Sequence, residues 1–387
     1  MKITAIEPLI VNARMRNWIF VKVSTDEGLI GWGEASMEWK TRGVAGCIKD
    51  LEPFLLGHDP TRVEHLWQIM YRQPFFRAGV EGMSAISGIE QALWDICGKA
   101  ANKPVYALLG GAVRDRVRMY DHLGGGQMEA LYQQDTADLM AERASQSVAD
   151  GYTAIKVLVV PRTAPLEGAA PLRHAETLMR SIREAVGPDI DIMVDLHGRT
   201  TPAMGIQYGQ TLAPYRPFFL EEPCPPENVA GMAEVARALP GIPIATGERL
   251  VTRWGFRDLL EQRACSVIQP DLCHCGGIWE ARKIAALAET YFVSVAPHNP
   301  LGPLATAVAV HFALCTPNWL IQEAIRNDVP WRDDVLDAPL EVRGGHISPP
   351  TRPGWGVEIN EAEAAKHPYA PEVRMQWFHD DGSVADW

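Results

Sequence analysis

Six acidic or imidazole side chains recur along the chain, each closing a short apolar run. They are Asp195 in IMVD, Glu221 in FFLEE, Glu248 in IATGE, Asp271 in VIQPD, His298 in SVAPH and Glu323 in WLIQE. The gaps between them are 26, 27, 23, 27 and 25 residues. Each gap is the length of one strand–loop–helix–loop unit, and each polar residue falls at the carboxyl end of its strand. In a closed parallel barrel all of those ends open onto one face, where catalytic groups gather. Two further candidate strands, VRMYDH and AIKVLVV, precede the series and bring the count to eight. Helical segments such as AETLMRSIREAV and IWEARKIAALAETY alternate with the strands. The alternation predicts an α/β chain with a parallel barrel over residues 116–340.

The two ends of the chain read differently. Over about the first fifty residues a β meander is expected, with IFVKVSTDEGLIGWGEAS as two strands joined by Asp26-Glu27-Gly28. Residues 60 to 110 read as helices; Ile86, Ile89, Leu93 and Ile96 keep helical spacing. Strands followed by helices make residues 1–115 an α+β domain. Residues 341–387 turn to Gly, Pro and short polar runs and are expected to return to that first domain. The stretch PRTAPLEGAAPL lengthens the unit after Lys156 and reads as an elaborated surface loop.

Composition narrows the function. With 36 basic and 48 acidic residues the net charge is −12, which disfavours nucleic acid and anionic membranes as partners. An acidic substrate is still accessible to such a protein where a metal ion inverts the local field. The seven cysteines are odd in number and sit mostly in apolar runs, as small hydrophobes do in a reducing compartment. Cys273-His274-Cys275 lacks the second pair of ligands that a structural zinc site needs. No stretch reaches ~18 uninterrupted apolar residues, and MKITAIEPLIV alternates like a strand. A cytoplasmic location is expected.

Asp195, Glu221 and Glu248 close three successive strands and should be neighbours. Three carboxylates without cysteine or histidine suit a hard cation with oxygen ligands, chiefly Mg²⁺. His197 follows Asp195 by two residues, which on a strand places both side chains on one face. Asp271 and His298 close the next two strands; a carboxylate beside an imidazole orients it and raises its pKa, which suits a general base. A structural Asp–His bond is the alternative. Lys156 could neutralise the carboxylates or bridge barrel layers. Glu323 could donate a hydrogen bond to a developing oxyanion if burial keeps it protonated, or be structural. A divalent metal with histidines on opposite flanks suits proton abstraction beside a carboxylate, followed by dehydration or racemisation. Spacing does not separate the two.

At this point the residues resemble the enolase superfamily, mandelate racemase subgroup, over essentially the whole chain. The resemblance rests on SAISGIEQALWDICGKAANKPVYALLGG, on IQPDLCHCGGIWEARKIAALAE, and on VDLHGR, FLEEP, ATGER, APHNPLGP and IQEAI. It implies a modified (β/α)7β TIM-type barrel under an α+β capping domain. It implies one Mg²⁺ per active site on Asp195, Glu221 and Glu248, His298 with Asp271 as base, and His197 as the acid that expels a 3-hydroxyl. Glu323 matches the position that stabilises the intermediate. The implied reaction turns an aldonate, D-galactonate being the first candidate, into a 2-keto-3-deoxy sugar acid. A homo-oligomer, dimer or octamer, is implied as well. A racemase, epimerase or cycloisomerase on the same scaffold is the alternative enzyme. A non-catalytic binding protein has no need for both histidines. In the family, specificity lies in capping-domain loops; here NARMRNWIF offers Arg14, Asn17 and Trp18 either as contacts for distal hydroxyls or as ordinary loop residues. His122 and the stretch AIRNDVPWRDD depart from the family pattern.

Overall fold

The computed structural model describes residues 1–123, 136–160, 162–372 and 376–386; Pro161, at the head of the inserted stretch, lies outside them. The chain opens with three antiparallel strands, β1 (Ile3–Ala13), β2 (Arg16–Thr25) and β3 (Ile30–Glu34). The turn between β2 and β3 uses Gly28 at φ 82°, a left-handed conformation that favours glycine. Helices α1 (Thr41–Leu51), α2 (Val63–Arg72), α3 (Val80–Ala100) and α4 (Val105–Leu108) follow. Helix α1 falls inside the stretch expected to be meander. Its buried residues Thr41, Val44, Ile48 and Leu51 keep a helical period that a strand pattern cannot use. Helix α3 lies directly on β3: a methyl group added at Gly33 would fall 1.9 Å from the Gly88 carbonyl oxygen.

Eight parallel strands then alternate with helices. The strands are β4 (Val117–His122), β5 (Ala154–Val157), β6 (Asp191–Asp195), β7 (Phe219–Glu221), β8 (Ile244–Thr246), β9 (Val267–Ile268), β10 (Ser294–Val295) and β11 (Gln322–Ala324). They lie side by side in chain order from β4 to β10, with β11 paired to the free edge of β4. A parallel bridge from Val295 to Trp319, in the run leading into β11, brings the two ends of the curled sheet together. Among the described residues seven helices fill the crossovers: α5 (Ala137–Ala149), α6 (Ala169–Val186), α7 (Pro202–Leu212), α8 (Val229–Ala238), α9 (Thr252–Glu261), α10 (Ile278–Glu289) and α11 (Pro303–Cys315). The eight expected strands are all present, but several are shorter than their apolar runs. β9 and β10 stop before Pro270 and Pro297, which have no N–H to give the ladder. Asp271 and His298 therefore stand on loops just above the barrel. None of the helices among the described residues is long and apolar enough to cross a membrane.

The last part of the chain first adds β12 (His346–Ile347), antiparallel to β4. It then reaches the first sheet, where Trp355 Nε1 donates to the Trp32 carbonyl (2.8 Å) and Asn17 Nδ2 donates to the Ala370 carbonyl (3.0 Å). Asp95 of α3 ties three elements together. It accepts the backbone N–H of Trp32 on β3 (2.9 Å) and of Trp355 (2.9 Å), and pairs with Lys99 Nζ (2.7 Å), with no exposure of its own. Asp95→Ala strands two buried N–H groups and should cost on the order of 3 kcal/mol. A lower Tm in thermal denaturation, with Asp95→Asn losing less because it keeps one acceptor oxygen, is the expected outcome.

Candidate active site

The strand-end residues converge. Ligand oxygens of Asp195, Glu221 and Glu248 all lie within 4.8 Å of one another. Glu221 and its neighbour Glu222 part at the end of β7. Glu221 Oε1 accepts from Lys156 Nζ (3.1 Å), whereas Glu222, at φ 39°, turns to Arg249, whose Nε stands 3.3 Å away. Lys156 is 1% exposed and also reaches Asp195 Oδ2 (3.3 Å) and Glu323 Oε1 (2.7 Å). Burial works against its charge, but Glu221 and Glu323 hold its pKa well above the ordinary lysine value. One lysine does not balance these acids. Burial and the adjacent Asp195 push Glu221 well above the usual carboxylate range, against the pull of Lys156. Burial also opposes the charge of Asp195, yet His197 and Lys156 bring it well below its ordinary value. Asp195 Oδ2, Glu221 Oε2 and Glu248 Oε2 are buried and accept no hydrogen bond, although Lys156 and His197 stand 3.3 Å from the first and His298 3.5 Å from the third. Three buried, mutually repelling carboxylates in one place fit a hard divalent cation.

Two imidazoles flank this cluster. His197 Nε2 lies 3.3 Å from Asp195 Oδ2, and its backbone N–H donates to Asp195 Oδ1 (2.8 Å). The predicted proximity holds but its reason differs. β6 ends at Asp195, and His197 takes φ 52°, so a left-handed turn and not strand alternation returns the ring to the site. Arg199 stands 2.9 Å from His197 Nδ1. A guanidinium only donates, so Nδ1 is the acceptor and the neutral ring carries its proton on Nε2. On the other flank, His298 Nδ1 meets Asp271 Oδ2 at 2.8 Å, and Nε2 lies 3.5 Å from Glu248 Oε2. Burial disfavours the imidazolium, but Glu248, Asp271 and Glu323 outweigh it and raise the His298 pKa to about 10.

Glu323 faces the cluster from β11. Its Oε2 accepts the Asn299 N–H (2.8 Å), and His122 Nδ1 lies 3.3 Å from Oε1. Burial alone would keep this carboxyl protonated, as expected from position. Lys156, His122 and His298 override burial and hold Glu323 well below the ordinary range, so in these surroundings it is an anion.

The loop residues of the first domain sort unexpectedly. Trp18 is fully buried in the core, and Asn17 bonds to Ala370 and Glu372, so both are structural. Arg14 is turned to a cavity of about 710 Å³ shared with Arg326 and Arg332, apart from the carboxylates. Arg16 is the one that turns inward: it is 3% exposed, pairs with Glu38 (2.9 Å) and donates to the Pro300 carbonyl. Burial raises the Glu38 pKa, but Arg16 and then His298 bring it below its ordinary value, which places Glu38 in the field of the base. Neither residue carries a periodic signal; packing of segments 284 residues apart brings Arg16 to Pro300.

Comparison with known proteins places this geometry. The model for the mandelate racemase / muconate lactonizing enzyme N-terminal domain matches residues 8–110, and the enolase C-terminal domain-like model matches residues 139–363. A D-galactonate dehydratase of Ralstonia pickettii is 41% identical over 380 residues, 96% of each chain. One of Verminephrobacter eiseniae is 40% identical over 395 aligned positions, the full length of both. An enolase structure from Agrobacterium radiobacter, with sodium and L-malate bound, superposes with a TM-score of 0.90 at 37% identity, covering 100% of both chains. The chain belongs to the enolase superfamily, in its mandelate racemase / muconate lactonizing enzyme group. Within that family it is a dehydratase, D-galactonate dehydratase-like over its full length. The carboxylate triad is consistent with the divalent-metal site typical of the superfamily.

A divalent cation added to metal-free protein should raise Tm, by about 2.7 kcal/mol of linkage at a hundredfold excess over Kd. Glu221→Gln should lose that increment while remaining folded; an equal rise in the variant contradicts the assignment of Glu221 as a ligand.

Proposed function

We propose that the chain is a Mg²⁺-dependent dehydratase of an aldonate, D-galactonate being the first candidate, with a 2-keto-3-deoxy sugar acid as product. The observation that carries the reading is the placement of His197 and His298 on opposite flanks of the triad, against Asp195 and Glu248. Mg²⁺, held by Asp195, Glu221 and Glu248, would supply positive charge that binds the substrate carboxylate and favours electron density on it.

The protein's own residues do the rest. The Glu248 charge that favours the imidazolium would be offset by a cation on the triad; in the neutral ring Asp271 holds the His298 Nδ1 proton, which leaves the Nε2 lone pair for the substrate. His298 Nε2 takes the proton from the α-carbon, and the C–H pair moves into the substrate carboxylate as an enediolate; that pair then returns to form the C2–C3 double bond. The C3–O pair departs with the hydroxyl, which takes a proton from His197 Nε2 and leaves as water. The resulting enol tautomerises to the 2-keto acid. A charged His197 is the stronger acid and needs Nδ1 for a proton of its own, so Arg199 must turn aside from Nδ1 before that step. Glu323 and Lys156 form a buried ion pair beside the reacting carboxylate, and we assign Glu323 to stabilising the intermediate through that pair. The same imidazoles would serve a racemase; full-length similarity to D-galactonate dehydratases favours elimination.

The reading assigns residues 1–115 to the capping domain, 116–340 to the barrel and 341–387 to a segment returning to the cap. It carries with it a cytoplasmic homo-oligomer, dimer or octamer. Phe75 and Phe76, 89% and 85% exposed and stacked edge to face, offer apolar surface for such contacts.

His298→Asn should abolish both turnover and exchange of the α-proton with deuterated water, a loss on the order of 10²–10⁴-fold or more. Exchange that continues in this variant rejects His298 as the base. His197→Asn should block dehydration by a similar factor yet keep α-proton exchange; normal dehydration sinks the acid role. The acid limb of kcat/KM should follow protonation of His298. Because Asp271 raises that imidazole's pKa, Asp271→Asn should move the limb to lower pH while reducing kcat. A limb that stays in place would separate Asp271 from the base.

A further inference from the structure

His274 has no part in the roles above, yet it is built into the base. The chain curls back after Asp271: the N–H groups of His274 and Cys275 donate to the Asp271 carbonyl (3.0 and 2.7 Å), and Cys273 N–H donates to Asp271 Oδ1 (2.7 Å). The curl brings His274 Nε2 to 3.7 Å from Asp271 Oδ2, the same oxygen that holds His298 Nδ1. Asp271 Oδ2 therefore lies between two imidazoles. On its far side the His274 ring, 7% exposed, meets Ser84 Oγ of α3 with Nδ1 at 2.9 Å.

Ser84 Oγ has one hydrogen and two acceptors in reach, the Val80 carbonyl (2.8 Å) and His274 Nδ1. If the hydrogen goes to Nδ1, the neutral ring carries its proton on Nε2, facing the carboxylate. If it goes to Val80, Nδ1–H must donate to Ser84, and a bare Nε2 lone pair would face a carboxylate. That repulsion disfavours the second arrangement, and the favoured one aims the Nε2–H at Asp271.

The same first-domain helix holds the rest of the loop. Gln91 Nε2 donates to the Leu272 carbonyl, Ser87 Oγ accepts Gly276 N–H, and the Glu90 carboxylate accepts the N–H groups of Ile278 and Trp279, all at 2.9 Å. Helix α3 is thus the mould against which the loop after β9 sets.

We propose that His274 is a positioning residue for the base: anchored by Ser84 of helix α3, it orients Asp271 and through Asp271 the His298 imidazole. The kinetic side of this proposal rests on the reading of His298 as the base.

The test pairs His274→Leu, which removes the N–H, with His274→Gln, whose amide can donate at the Nε2 position. His274→Leu should lower kcat on the order of 10- to 100-fold, with KM within about twofold of wild type. Its α-proton exchange should fall by the same factor as dehydration, as a base-side defect requires. His274→Gln should restore most of the loss, and Ser84→Ala should shift kcat in the same direction by less. Unchanged kcat and exchange in His274→Leu overturn the proposal. A second arm needs no turnover: a thermal double-mutant cycle of His274→Leu and Asp271→Asn in metal-free protein. The double variant should lose less Tm than the two single losses combined, because each removes one side of the same contact. Additive losses overturn the proposal. If wild type exchanges no α-proton with any acid tried, the base reading fails, while the cycle still decides whether His274 and Asp271 act together.

Discussion

Everything at the mouth of the barrel answers to one electrostatic problem, an excess of buried negative charge. Asp195, Glu221 and Glu248 crowd within 4.8 Å, Glu323 stands nearby, and Lys156 reaches three of these four acids at once without balancing them. Like charges at such distances raise each other's pKa unless a cation intervenes. The imbalance is consistent with a divalent-metal site, and a bound cation would make the site attractive to an acidic substrate in a protein of net charge −12. It also sets the basicity of His298, to which Glu248 contributes before Asp271 does. A cation on the triad offsets the Glu248 share and leaves Asp271 as the main control of the base.

The barrel and the triad were legible because both depend on phase. A repeat of strand, loop and helix has a nearly fixed length, and the carboxyl ends of parallel strands share one face. Local geometry was less legible. The sequence places Asp195 and His197 on one face of a strand, whereas the strand ends at Asp195 and a left-handed His197 achieves the same approach. Pro270 and Pro297 shorten β9 and β10, so the dyad stands on loops that need outside support.

That support comes from the first domain and leaves no trace in any periodic pattern. Arg16, Ser84 and Glu90 reach the barrel loops by packing between segments remote in the chain, and Glu38 pairs with Arg16. Reading NARMRNWIF residue by residue singles out Arg14, Asn17 and Trp18; the last two turn out to be structural, while Arg16, between Arg14 and Asn17, turns inward. Glu323 shows the same limit for charge. Its burial was foreseeable, but its ionised state depends on Lys156, His122 and His298, which lie on three other strands or loops. His274 lies in a Cys-His-Cys run whose spacing suggests metal chemistry, yet its partners are a serine and an aspartate.

A screen of aldonates and aldarates with Mg²⁺, scored for 2-keto-3-deoxy acid, decides whether this charged, two-histidine site eliminates water from a sugar acid. Product is expected from at least one aldonate, D-galactonate first, and none when the metal is withheld. Metal-dependent inversion of a hydroxy acid across the panel, with no keto product, would instead assign the two histidines to racemisation.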